Sequence, residues 1–443
     1  MAFYVKQNGM LKIGNKKLIN AWAFYDWANS VYSLVISSAV FPIYYSNLTE
    51  TFENIDKKIS FLGTEWDATT LYDYTLAFSF LIVALISPIL SGIADYKGNK
   101  LTFLKRFCLL GSLSVMGLYF FEGESTLWVA ILFTILASVG FWGSIVFYNA
   151  YLPEIATPKE QDRVSAKGFI FGYTGSILLL ILCLVFIESY EYFHITKGLA
   201  TRYTFIIVGL WWLGFAQFAY KKLPNTKKEY SKDENIIWKG FKELKGILKE
   251  LKNQPSLKVF LASFFLFSVG VQTIILMAGI IGSKELEIET SGLIVAILLV
   301  QFVAILGAAI FSRLSKKFGN LSTLKATIII WGFVCLLAFF LEKGPNAAYY
   351  FYALGSLIGL VLGAIQSLSR STYSKLLPKT EDPTTYFSFY DVTEKIAIVL
   401  GMFTFGLLNS LTGSMQYSIL CLGIFFIASF IVLNKLKKTV YVH

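Results

Sequence analysis

The chain has 443 residues; 56% are hydrophobic, 17% aromatic and only 15% charged, with 39 Lys and Arg against 28 Asp and Glu. Soluble domains carry about a quarter charged residues, so this composition argues against a soluble domain and for a chain that crosses a membrane many times. The net charge of +11 would fit a nucleic-acid partner by its size, but the placement of the charges speaks against one.

Twelve apolar runs follow one another, each about the length that crosses a hydrocarbon core as a helix. They are 20–45, 71–92, 101–121, 126–150, 167–187, 203–221, 258–281, 291–311, 322–341, 347–368, 385–409 and 415–434, spans one to twelve. Lys6, Lys12, Lys16 and Lys17 precede the first run. That run is too long for a signal-peptide core and lacks a small-residue cleavage site, so it reads as a permanent span. At helical spacing Trp22, Asp26, Asn29, Ser33 and Ser37 share one of its faces, with Tyr25 and Tyr32 at the flanks. A polar stripe on a membrane helix must face other helices or a wet cavity.

Of the lysines and arginines, 32 lie in or beside segments on the N-terminal side of the membrane and 6 in loops on the other side. The positive-inside rule therefore predicts cytoplasmic termini and accounts for the charge without nucleic acid. The longest inside segment, 222–257, divides the spans six and six. In it Ile237, Phe241, Leu244, Leu248 and Leu251 recur at steps of four and three beside Lys242, Lys245, Lys249 and Lys252. That pattern predicts a basic amphipathic helix on the anionic cytoplasmic leaflet, with a solvated linker helix as the alternative. The first outside loop, 46–70, is acidic, with Glu50, Glu53, Asp56, Glu65 and Asp67.

The halves repeat. SGIADYKGN (91–99) after span two matches SRLSKKFGN (312–320) after span eight at Ser91, Gly98 and Asn99 against Ser312, Gly319 and Asn320. YNAYLP (148–153) ends span four and YSKLLP (373–378) follows span ten. Duplicated halves are a mark of secondary transporters. Each turn needs a glycine for its sharp return, and the first also has Asp95, a carboxylate able to bond a helix N-terminus or a base on a neighbouring span. Lys316 stands in the second copy.

Cys108, Cys183, Cys335 and Cys421 lie far apart in apolar spans, so neither a disulfide nor a metal site is expected. The two histidines, His194 and His443, fall outside the spans. There is no Walker-type loop, metal-ligand spacing or Ser/His/Asp arrangement. The chain therefore does not read as an enzyme and calls for no cofactor.

The six-plus-six organisation and the SGIADYKGN turn resemble the major facilitator superfamily. A narrower resemblance is to its vacuole-effluxer-like branch, on FYDWANS (24–30), FYNAYLPEI (147–155), RVSAKGFIFGYTGS (163–176), GVQT (270–273) and IQSLSRSTYSKLLP (365–378). That branch includes vacuolar amino-acid effluxers and many bacterial members. The resemblance implies a central cavity lined by spans one, four, seven and ten. It also implies an acid just before GVQT, where this chain has Val269.

Ionisable residues well inside the spans are Asp26, Asp391, Glu394 and Lys395, each costing at least ~2.5–3 kcal/mol at mid-bilayer without a partner or water. Asp391 and Lys395, at i and i+4, can pair. The trio is either a self-neutralising cluster, a gate, or a site where Lys395 offers its charge to an anionic group. Asp26 has no base on its own helix and is read as a proton-coupling or inner-gate residue, with Asp95, Asp391 and Glu394 as the other coupling or gate candidates. Asn29, Tyr32, Tyr148, Asn149, Gln272, Thr273, Gln366, Ser369 and Lys395 are the substrate-binding candidates, with interhelical hydrogen bonding as the competing role. Arg370 is read as a positive-inside anchor or gate, and Trp211 and Trp212 as packing residues.

The expected fold is an all-α membrane protein of twelve transmembrane helices in two pseudo-repeated six-helix bundles, with cytoplasmic termini. Residues 1–221 form one bundle, 222–257 the linker and 258–443 the other. The expected function is secondary transport of a small organic solute by alternating access, proton-coupled and favouring export, with an amino acid or similar solute implied by the resemblance. A lipid or lysolipid transporter and a non-transporting receptor or partner-binding protein are the alternatives. Expected partners are the small-molecule substrate, protons and membrane lipids, with a monomer sufficient. The expected site is the bacterial cytoplasmic membrane, or a vacuolar membrane in a eukaryote.

Overall fold

The computed structural model describes residues 13–49, 58–225, 236–378, 380 and 383–436. Lys6, Lys12, Glu50, Glu53, Asp56 and His443, and the side chains of Ile237 and Phe241, lie outside the described residues. Twelve helices among the described residues are long and apolar enough to cross a membrane. Spans one to six are Lys16–Leu48, Ala68–Lys97, Lys100–Phe120, Glu124–Ile155, Gln161–Glu188 and Lys197–Tyr220. Spans seven to twelve are Pro255–Lys284, Thr290–Phe318, Asn320–Phe339, Ala347–Leu376, Pro383–Thr412 and Met415–Asn434. Each overlies one of the twelve apolar runs. A bilayer core offers no water to the backbone, so each segment must satisfy its own N–H and C=O groups, and the helix does so.

Several helices outrun their apolar stretch on the side where span one begins, hereafter the terminus side. Span ten continues to Leu376, so most of YSKLLP belongs to the helix rather than following it. The polar end is stable because its side chains bond neighbouring helices, a signal that hydropathy does not register. The two repeated turns form as their glycines require: Gly98 has φ 65° and Gly319 φ 89°. Asp67 caps span two through the Thr70 N–H, and Thr196 caps span six through the Leu199 N–H.

Two local features were not expected. Lys58–Phe61 and Thr64–Asp67 pair as an antiparallel hairpin, turned by Leu62 and Gly63, both at positive φ, as a two-residue I′ turn demands. In span one, Tyr32–Val40 is a π-helix. Its wider turn shifts the phase of every residue beyond it.

Span packing repeats between the halves. Spans pair one with five and six, three with four and six, and two with four; the same pairings recur six spans later. One hydrophobic core draws on spans one to six. A second draws on spans seven to twelve, with Ala150 and Ile247 added. Between the halves the main contacts are span two with eleven and span five with eight, related by the pseudo-twofold, and span five with ten. Leu85, Phe302, Phe403 and Ile424 are more than half exposed, as a lipid-facing surface requires.

The linker helix, Ile236–Lys252, forms as predicted, but it docks on the bundle against span two and the starts of spans seven and eleven. Ile247 is buried in the second core and Leu251 packs beside it, whereas Leu248 is 44% exposed. The helix face turned to the protein is therefore rotated from the predicted stripe. Tyr386 fixes it by donating to Glu250 (2.7 Å).

Candidate functional site

Between the halves lies a cavity of about 260 Å³. At about 30 Å³ per water this is room for about nine waters or a small organic molecule. Spans one, two, four, five, seven, eight, ten and eleven line it; three, six, nine and twelve do not. From span one come Asp26, Ser30, Tyr32, Ser33, Leu34, Ser37 and Ser38. The predicted polar face is thus largely right, but Ser30 takes the place of Asn29. Asn29 is fully buried, off the cavity, with neither side-chain polar atom hydrogen-bonded.

On the terminus side the cavity ends at a polar plug joining both halves. Arg370 of span ten, 3% exposed, points into the first half. Its Nη1 lies 3.6 Å from Asp26 Oδ2 and donates to Asn149 Oδ1 at 3.1 Å. Its Nε donates to Ser165 Oγ and its Nη2 to the Ser165 carbonyl. The Tyr148 hydroxyl donates to Asp26 (2.7 Å). The guanidinium packs on the rings of Phe169 (4.2 Å), Trp22 (4.9 Å) and Tyr148 (5.4 Å). Gly168 makes room for this contact: a Cβ there would lie 2.7 Å from Asp26 Oδ2 and Tyr148 OH. Ser165 also donates to the Ser367 carbonyl, and Tyr173 to Gln366. Arg370 is therefore no surface anchor, and Asp26 finds its base across the bundle.

A second ring of contacts closes the same end. Asp95 accepts from the Thr385 N–H and hydroxyl at the start of span eleven, the helix-N-terminus role its turn predicted. At the pseudo-symmetric place, the span eight–nine turn meets the start of span five. There Asp162 accepts from Ser315, Asn320 and Lys375. The second turn has no acid of its own because its acid stands on the opposite partner.

Deeper in, Lys395 is buried and bonds Asp391 (3.0 Å) and Glu394 (3.3 Å). Its ammonium sits 3.4 Å from the centre of the Trp142 ring. Gln272 donates to Glu394 at 2.9 Å. The trio pairs as its spacing predicted, but Glu394, not Lys395, is on the cavity wall. The site presents a carboxylate where an ammonium was expected.

Of the other predicted residues, Tyr32, Tyr148, Asn149, Gln272, Gln366 and Ser369 line the cavity. Thr273 does not: its hydroxyl bonds the Val269 carbonyl one turn back, beneath Gly401 of span eleven. Val269 is itself fully buried. Trp212 is buried against Gly111, and Trp211 bonds the Trp27 carbonyl, both as packing residues. Ser30, Trp142, Tyr173 and Gln301 were not singled out, nor were Ser165, Asp162 and Lys375. Gln301, a lone amide in the apolar run of span eight, was the clearest missed signal.

Two halves with the same pairing of spans, around a central cavity closed from one side, define a major-facilitator-type transporter. The fold overlays on a bacterial homologue of the iron transporter ferroportin in the outward-facing state, with TM-score 0.65, 13% identity, and 95% and 98% of the two chains covered. It also overlays on the proton:xylose symporter XylE, with TM-score 0.67, 14% identity and 95% of each chain covered. Residues 14–439 match the family described as vacuole effluxer Atg22 like, and the chain belongs to that family. It is 32% identical over 419 residues to the uncharacterized MFS-type transporter YxiO of Bacillus subtilis, covering 94% of this chain and 93% of that one. It is 24% identical to autophagy-related protein 22 of Kluyveromyces lactis, over 95% and 93% of the two chains. The protein is thus a multi-pass membrane transporter of the major facilitator type, not an enzyme.

Proposed function

We propose that the protein is a proton-coupled secondary transporter that carries a small organic solute out of the compartment holding its termini. On this reading the termini face the cytoplasm, and the bundles 1–221 and 258–443 rock about the central cavity, joined by the linker 222–257. The form described here is then outward-facing. The observation that carries the reading is the cavity shut at one end by bonds between the halves: Arg370 with Asp26, Asp95 with Thr385, and Asp162 with Ser315, Asn320 and Lys375. Such contacts must break for the cavity to open on the other side.

The pairing divides the acids by role. Asp26, held by a guanidinium and a phenol, serves the gate. Asp391 and Glu394 share one lysine, and Asp391 Oδ2 has no hydrogen-bond partner. A surplus carboxylate beside the solute is where a proton can exchange, so coupling is assigned to this pair rather than to Asp26. Hydroxyls and amides on the wall favour a polar solute over a lipid. The resemblance to vacuolar effluxers favours export and an amino acid or similar solute, and the shared requirement within that class is an amino group.

Proteoliposomes test this. Counterflow of a labelled amino acid or of a labelled amine should be saturable, and an imposed pH gradient should drive its accumulation. At solute concentrations high enough to saturate the weakened site, Glu394→Gln should keep counterflow and lose the response to the gradient, whereas Asp26→Asn should slow both. Accumulation still driven by the gradient in Glu394→Gln would overturn the coupling assignment.

A further inference from the structure

We infer that the cavity selects a cationic amine, with the solute ammonium seated on Glu394 and no base free to hold a solute carboxylate. The inference rests on the proposed function in one respect, that the cavity is a solute site.

In and just behind the cavity wall, the charged side chains among the described residues are Asp26, Asp391 and Glu394 against Arg370 and Lys395. One negative charge is in excess. Tyr32, Tyr148, Tyr173 and Tyr390 also face the cavity and are neutral phenols. A low-dielectric site does not hold an unbalanced charge, so the excess carboxylate carries either a proton or a cation.

Both bases are committed elsewhere. Arg370 is bonded to Ser165, Asn149 and Asp26 and wedged between aromatic rings. Lys395 is 1% exposed, shared by two carboxylates and pressed on Trp142. Glu394 is the acid of the trio that reaches the cavity, its side chain 17% exposed. Gln272 and Lys395 hold it in place. Tyr390 and Ile398, one turn to either side of Glu394 on span eleven, line the cavity with it, and Phe264 stacks on Tyr390. The acid is thus framed by an aromatic and aliphatic surface, which suits an ammonium on a short apolar body. A solute carboxylate entering the same space would add a second negative charge and meet no uncommitted base.

Three probes of matched size separate the charge states: 2-phenylethylamine, 2-phenylethanol and phenylacetate. With purified full-length protein at pH 7, the amine should raise the melting midpoint in a saturable way and the other two should not. Glu394→Gln, which keeps a side chain able to bond Gln272, should weaken amine binding at least tenfold without lowering the unliganded midpoint. Glu394→Asp, which restores the charge on a shorter arm, should recover the preference for the amine. Protection by phenylacetate equal to that by the amine, amine protection that survives Glu394→Gln, or no protection by the amine would each overturn the inference. Flux decides the underlying reading separately. If the amine binds selectively but no pH gradient drives any solute, the proposed function fails and the selectivity stands; if flux is driven but the charge series runs the other way, the selectivity fails alone.

Discussion

Gly168→Ala is the sharpest test of the plug. The new Cβ would lie 2.7 Å from Asp26 Oδ2, 2.7 Å from the Tyr148 hydroxyl and 2.9 Å from Arg370 Nη2. Each atom would have to retreat by about half an ångström or more to reach ordinary van der Waals separation. None can swing away, because all three are buried and Arg370 is held between rings. Two charge-assisted bonds bear the strain: Tyr148 to Asp26, and Arg370 to the Ser165 carbonyl. Bonds to charged groups contribute about 1.5–3 kcal/mol each, so losing much of both would weaken the closed form by about 2–4 kcal/mol. At about 1.4 kcal/mol per tenfold, this shifts the closed-to-open ratio by roughly 30- to 700-fold. Helix propensity alone predicts the opposite sign, since alanine favours a helix over glycine by about 0.8–1 kcal/mol. Spin labels at the exposed Lys159 and Lys317, one on each half at the terminus side, report the separation once the partly exposed Cys421 is replaced. The wild type should give mainly the short distance and Gly168→Ala mainly a longer one. An unchanged distribution in a folded variant would refute the role given to this plug.

Other consequences follow from the same contacts. Arg370→Met strands the buried Asp26 and should destabilise the protein by about 3–5 kcal/mol, with more than half of the melting-point loss recovered on adding Asp26→Asn. Asp162→Ala removes the acceptor of Ser315, Asn320 and Lys375, and should lengthen the same spin-label distance while leaving amine binding in place. Gly307→Ala would drive a Cβ to 2.0 Å from the Leu360 carbonyl, where spans eight and ten touch. It should lower the melting point, whereas Gly406→Ala, with nothing within 4 Å, should not. Tyr386→Phe deletes the bond to the exposed Glu250, which solvent discounts to about 1 kcal/mol, and its loss should speed amide exchange across 236–252 about fivefold.

Much of this was legible in the linear chain. Glycine at 98 and 319 predicted two sharp turns because few other residues tolerate that backbone. Asp95 bonds a helix start, as its place in the turn implied. Asp391 and Lys395 pair because four residues is one helical turn. Two of the misses share a cause. Asp162 and Lys375 lie at helix ends, where charge is ordinary by sequence and only burial between halves gives it meaning. Asn29 and Ser30 exchanged places on the predicted face of span one, and no hydropathy pattern marked the π-helix that follows them.

The sequence by itself determined the twelve spans and their duplication, because a segment without water must be a helix and its length is set by the bilayer. It also placed Asp26, Asp391, Glu394 and Lys395 inside the spans, though not the buried Arg370. The tertiary structure alone decided their partners. Asp26 meets Arg370 across the two halves, and Lys395 turns onto Trp142 and leaves Glu394 on the cavity wall. Those outcomes depend on how helices distant in the chain rotate and pack against one another, and the periodicity of a single helix does not encode them.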